Sequence, residues 1–333
     1  MTKEDRILVT GGAGFIGTHL VNALIGEHSN TRLEIVDDLS SSSVTQERFD
    51  FFKRKGILFR HQTVEDFRIP TNVRYAQIYH LACRVGPAHV LKYAGRMARE
   101  ILADAEKMAD LAIRDNSPLI SVSTSEEYGK DPGGKPQHEK MSLEFSAEIT
   151  ARQEYTGGKW MTEVQLINLA EVEPLRVNFI RPFNIVGPLQ TSEGGFVLPR
   201  FVEAALRDEP ITVFGDGSQI RAFTHVSDLV RSLILIMKSG VNRKIYNIGT
   251  PKNTCTIMSL AEKVISLLNS RSEIVCVNPR EIFGKRYTNA PSKIPSISRV
   301  EKEIGWSPQW SLDEIIEDYA SFVRKERSLS AVA

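Results

Sequence analysis

The chain has 333 residues, of which 41% are apolar and 25% are charged, a composition ordinary for a folded globular protein. The formal net charge of +1 argues against a polyelectrolyte partner such as a nucleic acid. Cys83, Cys255 and Cys276 lack metal-site spacing and indicate a reducing compartment. The N-terminus lacks a signal-peptide pattern, and no apolar run approaches the roughly 20 residues that span a bilayer. We predict a cytoplasmic protein with no metal, nucleic-acid or membrane partner.

The first predicted elements are a strand, a glycine-rich turn, a helix and a second strand. "RILVT" (6–10) is a buried-strand pattern and "GGAGFIG" (11–17) follows it directly. "THLVNALIGE" (18–27) is apolar at helical spacing, and "RLEIVDD" (32–38) is typical of the next strand. This order within about 30 residues is the context that a dinucleotide fingerprint requires. It predicts an α/β fold with a doubly wound parallel sheet of the Rossmann type.

The glycine-rich turn is a candidate for holding a dinucleotide. Gly11 allows a tight turn, Gly14 lets the backbone approach a pyrophosphate, and Gly17 lets the helix lie close to the strand. The helix N-terminus offers free N–H groups and a partial positive charge to phosphate. Asp37 would accept hydrogen bonds from an adenosine ribose and repel a 2′-phosphate, which favours NAD over NADP. Asp38 either shares that ribose or faces solvent. The predicted cofactor-binding residues are Gly11, Gly14, Phe15, Ile16, Gly17, Asp37, Asp38, Tyr155 and Lys159.

Two later segments carry polar groups that suit chemistry. "PLISV" (118–122) predicts a strand, and "STSEEYG" (123–129) places hydroxyls and two carboxylates at its end, where they make a poor core. Tyr155 and Lys159 are four residues apart and share one face of a predicted helix that runs to about Ala170. An ammonium beside the phenol would lower the pKa of Tyr155 and let it exchange protons near neutral pH.

With these segments in place, the sequence resembles the extended short-chain dehydrogenase/reductases of the NAD-dependent nucleotide-sugar epimerase/dehydratase family. The resemblance covers nearly the whole chain. It rests on ordered matches at "GGAGFIG", "YHLA" (79–82), "STSEEYG", Tyr155 with Lys159, "RPFNIVGP" (181–188), "FGDGSQIRAFTHVSDL" (214–229), "YNIGTP" (246–251) and "EIGWSP" (303–308).

The resemblance implies a domain organisation and an assembly. An NAD-binding Rossmann domain is expected at residues 1–182 together with about 224–250. A smaller nucleotide-sugar-binding lobe is expected at 183–223 and 251–330, interleaved with the first. A homodimer is expected, in which helices 98–114 and 148–170 form a four-helix interface.

The resemblance also implies roles at the reacting sugar. Thr124 or Ser125 would hydrogen-bond the sugar 4-hydroxyl and support proton transfer to Tyr155. For Thr124, a hydroxyl that caps the following turn is the structural alternative. The predicted catalytic residues are Thr124, Ser125, Glu126, Tyr155 and Lys159.

Further roles are implied at the nucleotide end of the substrate. Asn184 would contact the pyrophosphate, and the region around Leu198 would flank the base. Arg221 would clamp the diphosphate, because its planar donors fit phosphate oxygens. An ion pair between Arg221 and Asp228 is the alternative. The predicted substrate-binding residues are Arg152, Asn184, Leu198, Arg221, Arg286 and Lys293.

Within the family, "STSEEYG" is most similar to the UDP-glucuronate decarboxylases, which show serine followed by glutamate at Ser125 and Glu126. The 4,6-dehydratases resemble "STDEVYG", whose aspartate is Ser125 here, and the 4-epimerases usually carry small residues or threonine in place of Glu126. Arg152 matches the decarboxylase pattern R-x-x-Y that ends at Tyr155, and a cation there suits a carboxylate substrate. An ordinary surface arginine is the alternative.

"FGKRYTNAPSKIPSI" (283–297) is similar to the tail region of the decarboxylases of the aminoarabinose pathway, which have a catalytic arginine where Lys293 falls. Lys293 keeps the charge but not the bidentate fork, and Arg286 is an alternative cation from the same loop. The predicted function is oxidation of the sugar 4-hydroxyl to a 4-ketone and decarboxylation of UDP-glucuronate. A 4,6-dehydratase or a 4-epimerase is the alternative. A non-catalytic NAD-binding scaffold is the rival of another class, and the intact Tyr155 argues against it.

Overall fold

The structure, a computed structural model, describes residues 4–27, 32–40, 46–129, 133–145, 147, 149–192, 195–278, 280–281 and 291–330. Its strands are β1 (Glu4–Thr10), β2 (Arg32–Asp37), β3 (Leu58–His61), β4 (Val73–His80), β5 (Pro118–Val122), β6 (Arg176–Pro182), β7 (Ile185–Val186), β8 (Ile211–Phe214), β9 (Ile220–Ala222), β10 (Thr224–His225), β11 (Lys244–Ile248), β12 (Thr254–Thr256) and β13 (Ile274–Val277). Its helices are α1 (Phe15–Glu27), α2 (Gln46–Arg54), α3 (Pro87–Lys92), α4 (Met97–Asp115), α5 (Ala151–Val172), α6 (Val197–Ala205), α7 (Val226–Ser239), α8 (Ile257–Leu268), α9 (Ser298–Ile304) and α10 (Leu312–Ser330).

Seven parallel strands form the central sheet in the order β11-β6-β5-β4-β1-β2-β3. Because β1 pairs with β2 on one side and β4 on the other, the strand order reverses beside β1. In open sheets of this kind a crevice opens at the carboxyl ends of the strands where the order reverses. The predicted Rossmann-type α/β fold is confirmed.

Helices cover both faces of the sheet, which explains why β1 is buried continuously from Arg6 to Thr10 rather than at alternate residues. On one face, α1 and α7 contribute Leu20 and Leu233 to a core that also contains Ile7. On the other face, α4 and α5 contribute Met108 and Leu166. Burial on both sides fixes the sheet, and with it the positions of the strand ends that carry the polar segments.

The two helices that matter most for the site have recognisable end signals. The hydroxyl of Thr150 accepts from the backbone N–H of Gln153, and the Gln153 side chain accepts from the backbone N–H of Thr150. This capping box satisfies two N–H groups that the first turn of α5 would otherwise leave unpaired. Asn116, the residue that follows α4, caps the helix in the left-handed conformation with φ of 51°. The predicted helix around Tyr155 is confirmed.

A second, smaller core lies beyond the sheet. It joins α6, α8 and α10 to β8 through Val202, Leu260, Ile315 and Val213, all fully buried. Between β13 and α10 the chain returns to the sheet at α9, and the indole of Trp306, just after α9, is buried in the core that also contains Leu20 and Leu233. No helix in the described part of the chain combines the length and apolarity needed to cross a bilayer.

Candidate active site

A cleft with a volume of about 570 Å³ opens at the carboxyl ends of the sheet strands, and residues of both cores line it. All but one of the predicted site residues contribute to its wall. They are Gly11, Gly14, Phe15, Ile16, Gly17, Asp37, Asp38, Thr124, Ser125, Glu126, Arg152, Tyr155, Lys159, Asn184, Leu198, Arg221 and Lys293. The exception, Arg286, lies outside the described residues.

The glycine turn forms one end of the cleft. Gly11 has φ of 69°, in the left-handed region, and its N–H donates to Val36 O at 2.8 Å, which ties the turn to β2. A Cβ on Gly17 would lie 2.0 Å from the carbonyl oxygen of Gly11, so only glycine lets α1 start this close to β1. The N-terminus of α1 therefore faces the cleft with its free N–H groups, which suits a pyrophosphate.

Asp37 fixes the shape of this turn. Its carboxylate accepts from the backbone N–H of Ala13 at 3.0 Å and from that of Leu39 at 2.9 Å. Burial raises the pKa of Asp37, although these two hydrogen bonds favour its charged form. Each carboxylate oxygen has more than one lone pair, so the same group can also accept from a ribose hydroxyl at the cleft wall. The residues present therefore fit the adenosine and pyrophosphate of NAD.

Tyr155 and Lys159 are both buried on the face of α5 that lines the cleft. The Lys159 ammonium donates to Val122 O at 2.7 Å, at the end of β5. Burial raises the pKa of Tyr155 well above its ordinary value, although the Thr124 hydroxyl favours the ionised phenol. The prediction that the pKa of Tyr155 is lowered is therefore wrong when only the protein's own groups surround the phenol. The reason is that the loss of water around the phenol, together with the nearby Cys83 and Glu126 side chains, disfavours the charged form more than the Thr124 hydrogen bond favours it.

The segment "STSEEYG" leaves β5 as a short 3₁₀ turn, Ser125–Tyr128. The Thr124 hydroxyl accepts from the backbone N–H of Glu126 at 3.1 Å, which is the capping contact considered as an alternative to a catalytic role. The same hydroxyl faces Tyr155, so the two roles are compatible. Ser125 is buried and also lines the cleft.

Glu126 lies between two cations that come from distant parts of the chain. Its carboxylate contacts the Lys293 ammonium and the Arg152 guanidinium at ion-pair distance. Burial alone would raise the pKa of Glu126, but Lys293 and Arg152 hold it well below its usual range. Burial lowers the pKa of Lys293 to about 8, against the pull of Glu126. This three-residue cluster, which we call the Glu126 cluster, carries one net positive charge inside the cleft.

A second buried ionic group stands behind the 3₁₀ turn, and sequence reasoning missed it. The Arg181 guanidinium pairs with Glu127 at 3.0 Å and with Glu163 at 2.5 Å. Ser123 donates to the Glu127 carboxylate. Burial and the Glu163 carboxylate raise the pKa of Glu127 well above its usual value. The only sequence signal was a second acid in "STSEEYG" that follows a buried strand.

The far end of the cleft carries the residues predicted to hold the nucleotide. The Arg221 guanidinium donates to Ile220 O at 2.7 Å and to Pro291 O at 2.9 Å. Asp228, its alternative partner, pairs with Arg231 at 2.7 Å. Asn184 has φ of 39° and its side-chain amide donates to Ala222 O at 3.0 Å, while Leu198 is fully buried in the first turn of α6.

Four cleft residues near the glycine turn were not among the predicted site residues. Arg84 pairs with Asp38 at 3.2 Å and with Glu100, and its guanidinium carbon lies 4.4 Å from the ring centroid of Tyr93. Cys83 and Asp104 also line the cleft, and burial raises the pKa of Asp104 to about 7. Glu100 and Asp104 are four residues apart on α4, so they lie on one face of the helix. This spacing was the sequence signal that could have identified them.

Comparisons with known proteins agree with this arrangement. A family model described as "NAD dependent epimerase/dehydratase family" matches residues 7–249. UDP-glucuronic acid decarboxylase 1 from Arabidopsis thaliana is 32% identical over 329 residues, which are 97% of this chain and 72% of that protein. UDP-glucuronic acid decarboxylase 1 from Danio rerio is 30% identical over 328 residues, which are 98% of this chain and 75% of that protein.

Solved structures share the architecture. UDP-glucose 4-epimerase from Thermotoga maritima with UDP-glucose aligns with a TM-score of 0.85 at 28% identity, over 97% of this chain and 99% of that chain. dTDP-glucose 4,6-dehydratase from Bacillus anthracis in complex with NAD aligns with a TM-score of 0.82 at 20% identity, over 97% of each chain. At 20% identity, the similarity to the dehydratase shows only that the two proteins share a fold.

Proposed function

This chain belongs to the NAD-dependent epimerase/dehydratase family, and from that premise we propose that it oxidises UDP-glucuronate at the sugar 4-position and decarboxylates it. As a family member it is an NAD-dependent enzyme that modifies nucleotide sugars. The observation that carries the choice of substrate is the Glu126 cluster. Its two cations around one carboxylate leave a net positive charge beside the Tyr155 phenol, where an anionic sugar is favoured. Relatives that are UDP-glucuronic acid decarboxylases support the same choice.

The first step is removal of a proton from the sugar 4-hydroxyl by Tyr155. Bound NAD⁺ supplies the hydride acceptor and a positive charge that favours the phenolate. Thr124 hydrogen-bonds the reacting hydroxyl, and Ser125 lines the same wall. Lys159, held by Val122 O, orients the cofactor ribose and keeps a positive charge beside the phenol.

The second step is the loss of CO₂ from the oxidised sugar. The 4-ketone is β to the carboxylate, so the electrons of the breaking carbon–carbon bond flow into the ketone and form an enolate. Arg152 and Lys293 bind the carboxylate before this step and hold it away from bulk water. Lys293 or Glu126 then directs a proton to the carbon that lost CO₂, because both groups line the cleft.

The nucleotide end is proposed to be held by groups at the far side of the cleft. Arg221 binds the diphosphate, Asn184 contacts the same pyrophosphate, and Leu198 packs beside the base. The backbone carbonyls of Ile220 and Pro291 hold the Arg221 guanidinium in position. Less side-chain entropy is therefore lost when the diphosphate binds.

The experiment is mass spectrometry of UDP-glucuronate incubated with the purified protein and NAD⁺. We expect a product lighter by the mass of CO₂. A product of unchanged mass with a new retention time would mean epimerisation, and a product lighter by one water would mean dehydration; either would overturn the proposal. Absence of turnover with UDP-glucuronate, together with turnover of a neutral nucleotide sugar, would overturn the assignment of substrate.

A matched pair of variants separates chemistry from folding. Tyr155→Phe removes the phenol hydroxyl in the cleft and is expected to abolish turnover. Tyr246→Phe removes a phenol hydroxyl that donates to Glu303 outside the cleft and is expected to retain turnover. Full turnover by Tyr155→Phe would contradict the role of Tyr155 as the base, and absence of turnover by the wild type with any nucleotide sugar would support the non-catalytic scaffold.

The assembly, compartment and domain division are further proposals. A homodimer through α4 and α5 is supported by exposed apolar side chains near that face, Met161 at 41% and Val172 at 78% exposed, and light scattering tests it. A cytoplasmic location is supported by three free cysteines. An NAD-binding lobe at residues 1–182 with about 224–250, and a substrate lobe at 183–223 and 251–330, is supported by the separate second core.

A further inference from the structure

The feature that carries a further inference is the ion pair of Arg84 with Asp38 and Glu100. Asp38 comes directly after β2, and Arg84 comes four residues after β4. In the sheet β1 lies between these two strands. The side chain of Arg84 therefore crosses the carboxyl end of β1, where the glycine turn begins with Gly11.

Two carboxylates hold the Arg84 guanidinium in this position. Its Nη2 donates to the Asp38 carboxylate at 3.2 Å, and its Nη1 donates to the Glu100 carboxylate in the first turn of α4. The guanidinium lies over the Tyr93 ring, with 4.4 Å between its carbon and the ring centroid. Its Nε is buried without a hydrogen-bond partner among the described residues, so the two carboxylates alone set its hydrogen-bonded position.

We propose that Arg84 is a strap that retains the dinucleotide cofactor. Asp38, Arg84 and Glu100 all line the same cleft as the glycine turn. A dinucleotide whose pyrophosphate lies on that turn is covered by the Arg84 side chain, which has to leave one carboxylate before the cofactor can enter or depart. The strap therefore slows release more than it changes the position of the bound cofactor.

Retention has a chemical consequence, which rests on the proposed decarboxylation. The decarboxylated 4-ketone can take back the hydride, with a proton from Tyr155, only while the reduced cofactor remains bound. The nucleotide sugar acid and one proton then give the nucleotide pentose and CO₂ with no net oxidation. Early release would instead yield the 4-ketone and free NADH in equal amounts.

The direct test is the rate of NADH release from the loaded protein, chased with excess NAD⁺ and followed by the fluorescence of bound NADH. We expect Arg84→Gln and Glu100→Gln each to release NADH up to about fivefold faster, the effect expected for opening partly exposed ion pairs. The double variant is expected to release it no faster than Arg84→Gln, because both substitutions open the same strap. Arg84→Lys keeps the charge but replaces the wide planar fork with a compact ammonium, and it is expected to be intermediate.

Arg74→Gln is the matched control, because Arg74 makes two hydrogen bonds to Asp5 on the neighbouring strand, outside the cleft. Unchanged release in a folded Arg84→Gln, or independent effects of the Arg84 and Glu100 substitutions, would overturn the strap. Circular dichroism confirms that each variant is folded. Because this measurement uses no sugar nucleotide, it stands even if UDP-glucuronate is not the substrate.

The product of a turnover assay tests the consequence separately. The wild type is expected to yield the nucleotide pentose without free NADH, and Arg84→Gln is expected to accumulate the 4-ketone with NADH in solution. Release of NADH by the wild type at every turnover would overturn the link between the strap and the product. If neither protein releases CO₂, the proposed function is contradicted. The rates of NADH release then still test whether Arg84 retains the cofactor.

Discussion

Glu126→Gln removes the one carboxylate of the Glu126 cluster and leaves Lys293 and Arg152 in place. The net charge of the cluster rises from one to two positive. We expect UDP-glucuronate to bind more tightly and UDP-glucose to bind as before, because only the first ligand brings a carboxylate that can replace the lost one. A charge-assisted hydrogen bond contributes about 1.5–3 kcal/mol. The Glu126 side chain is 20% exposed, so we take the lower end, which corresponds to about tenfold in affinity.

The same substitution is expected to lower the free energy of unfolding. Lys293 has a side chain only 5% exposed and would lose its carboxylate partner. Removing one member of a buried ion pair costs about 3–5 kcal/mol. Because Lys293 can lose its proton instead of staying charged, we expect a loss near the lower limit, about 3 kcal/mol, in urea denaturation near neutral pH.

Isothermal titration calorimetry measures the affinities, with NAD⁺ present and in a Tyr155→Phe background so that no substrate is consumed. Glu303→Gln changes the same charge outside the cleft and is the control. Equal changes in affinity for the acid and the neutral sugar would refute the reasoning. Weaker binding of UDP-glucuronate to Glu126→Gln would refute it as well, since it would mean that the carboxylate does not lie against these cations.

Three other predictions test the site. Activity that needs the Lys293 ammonium should fall as pH rises through about 8, and in Lys293→Arg this alkaline limb should vanish because a guanidinium stays charged; an identical pH profile would contradict it. Gly17→Ala should abolish NAD binding measured by calorimetry, because its Cβ would lie 2.0 Å from Gly11 O; retained affinity would show that the turn adapts. Arg181→Met should lower the free energy of unfolding by about 3–5 kcal/mol, because the Glu163 carboxylate loses its guanidinium; a loss below 1 kcal/mol would mean that the carboxylates take up protons at little cost.

Much of the fold could be predicted because its signals are local. A strand, a glycine turn and an amphipathic helix each have a periodicity or a backbone requirement that a few neighbouring residues express. The pair Tyr155 and Lys159 belongs to the same class, since helical geometry alone places them on one face. The turn at Gly11 and the close approach of Gly17 in α1 to that turn follow from the same local rules.

The partners of the charged side chains could not be predicted, because they meet only after the chain folds. Glu126 and Lys293 are 167 residues apart in sequence and in contact in the cleft. Arg84 reaches Asp38 because the sheet places β2 and β4 on either side of a single strand, β1. Pairing of this kind depends on distance in space, for which a single sequence has no marker.

The sequence by itself determined the order of the elements, the nucleotide-binding turn and the residue types gathered at the strand ends. Tertiary structure alone decided which charges neutralise one another and how far each group is removed from water. The pKa of Tyr155 shows the difference, since spacing from Lys159 predicted a lowered value and burial raises it. Desolvation is a sum over every atom packed around a group, and those atoms come from the whole chain rather than from the neighbours in sequence.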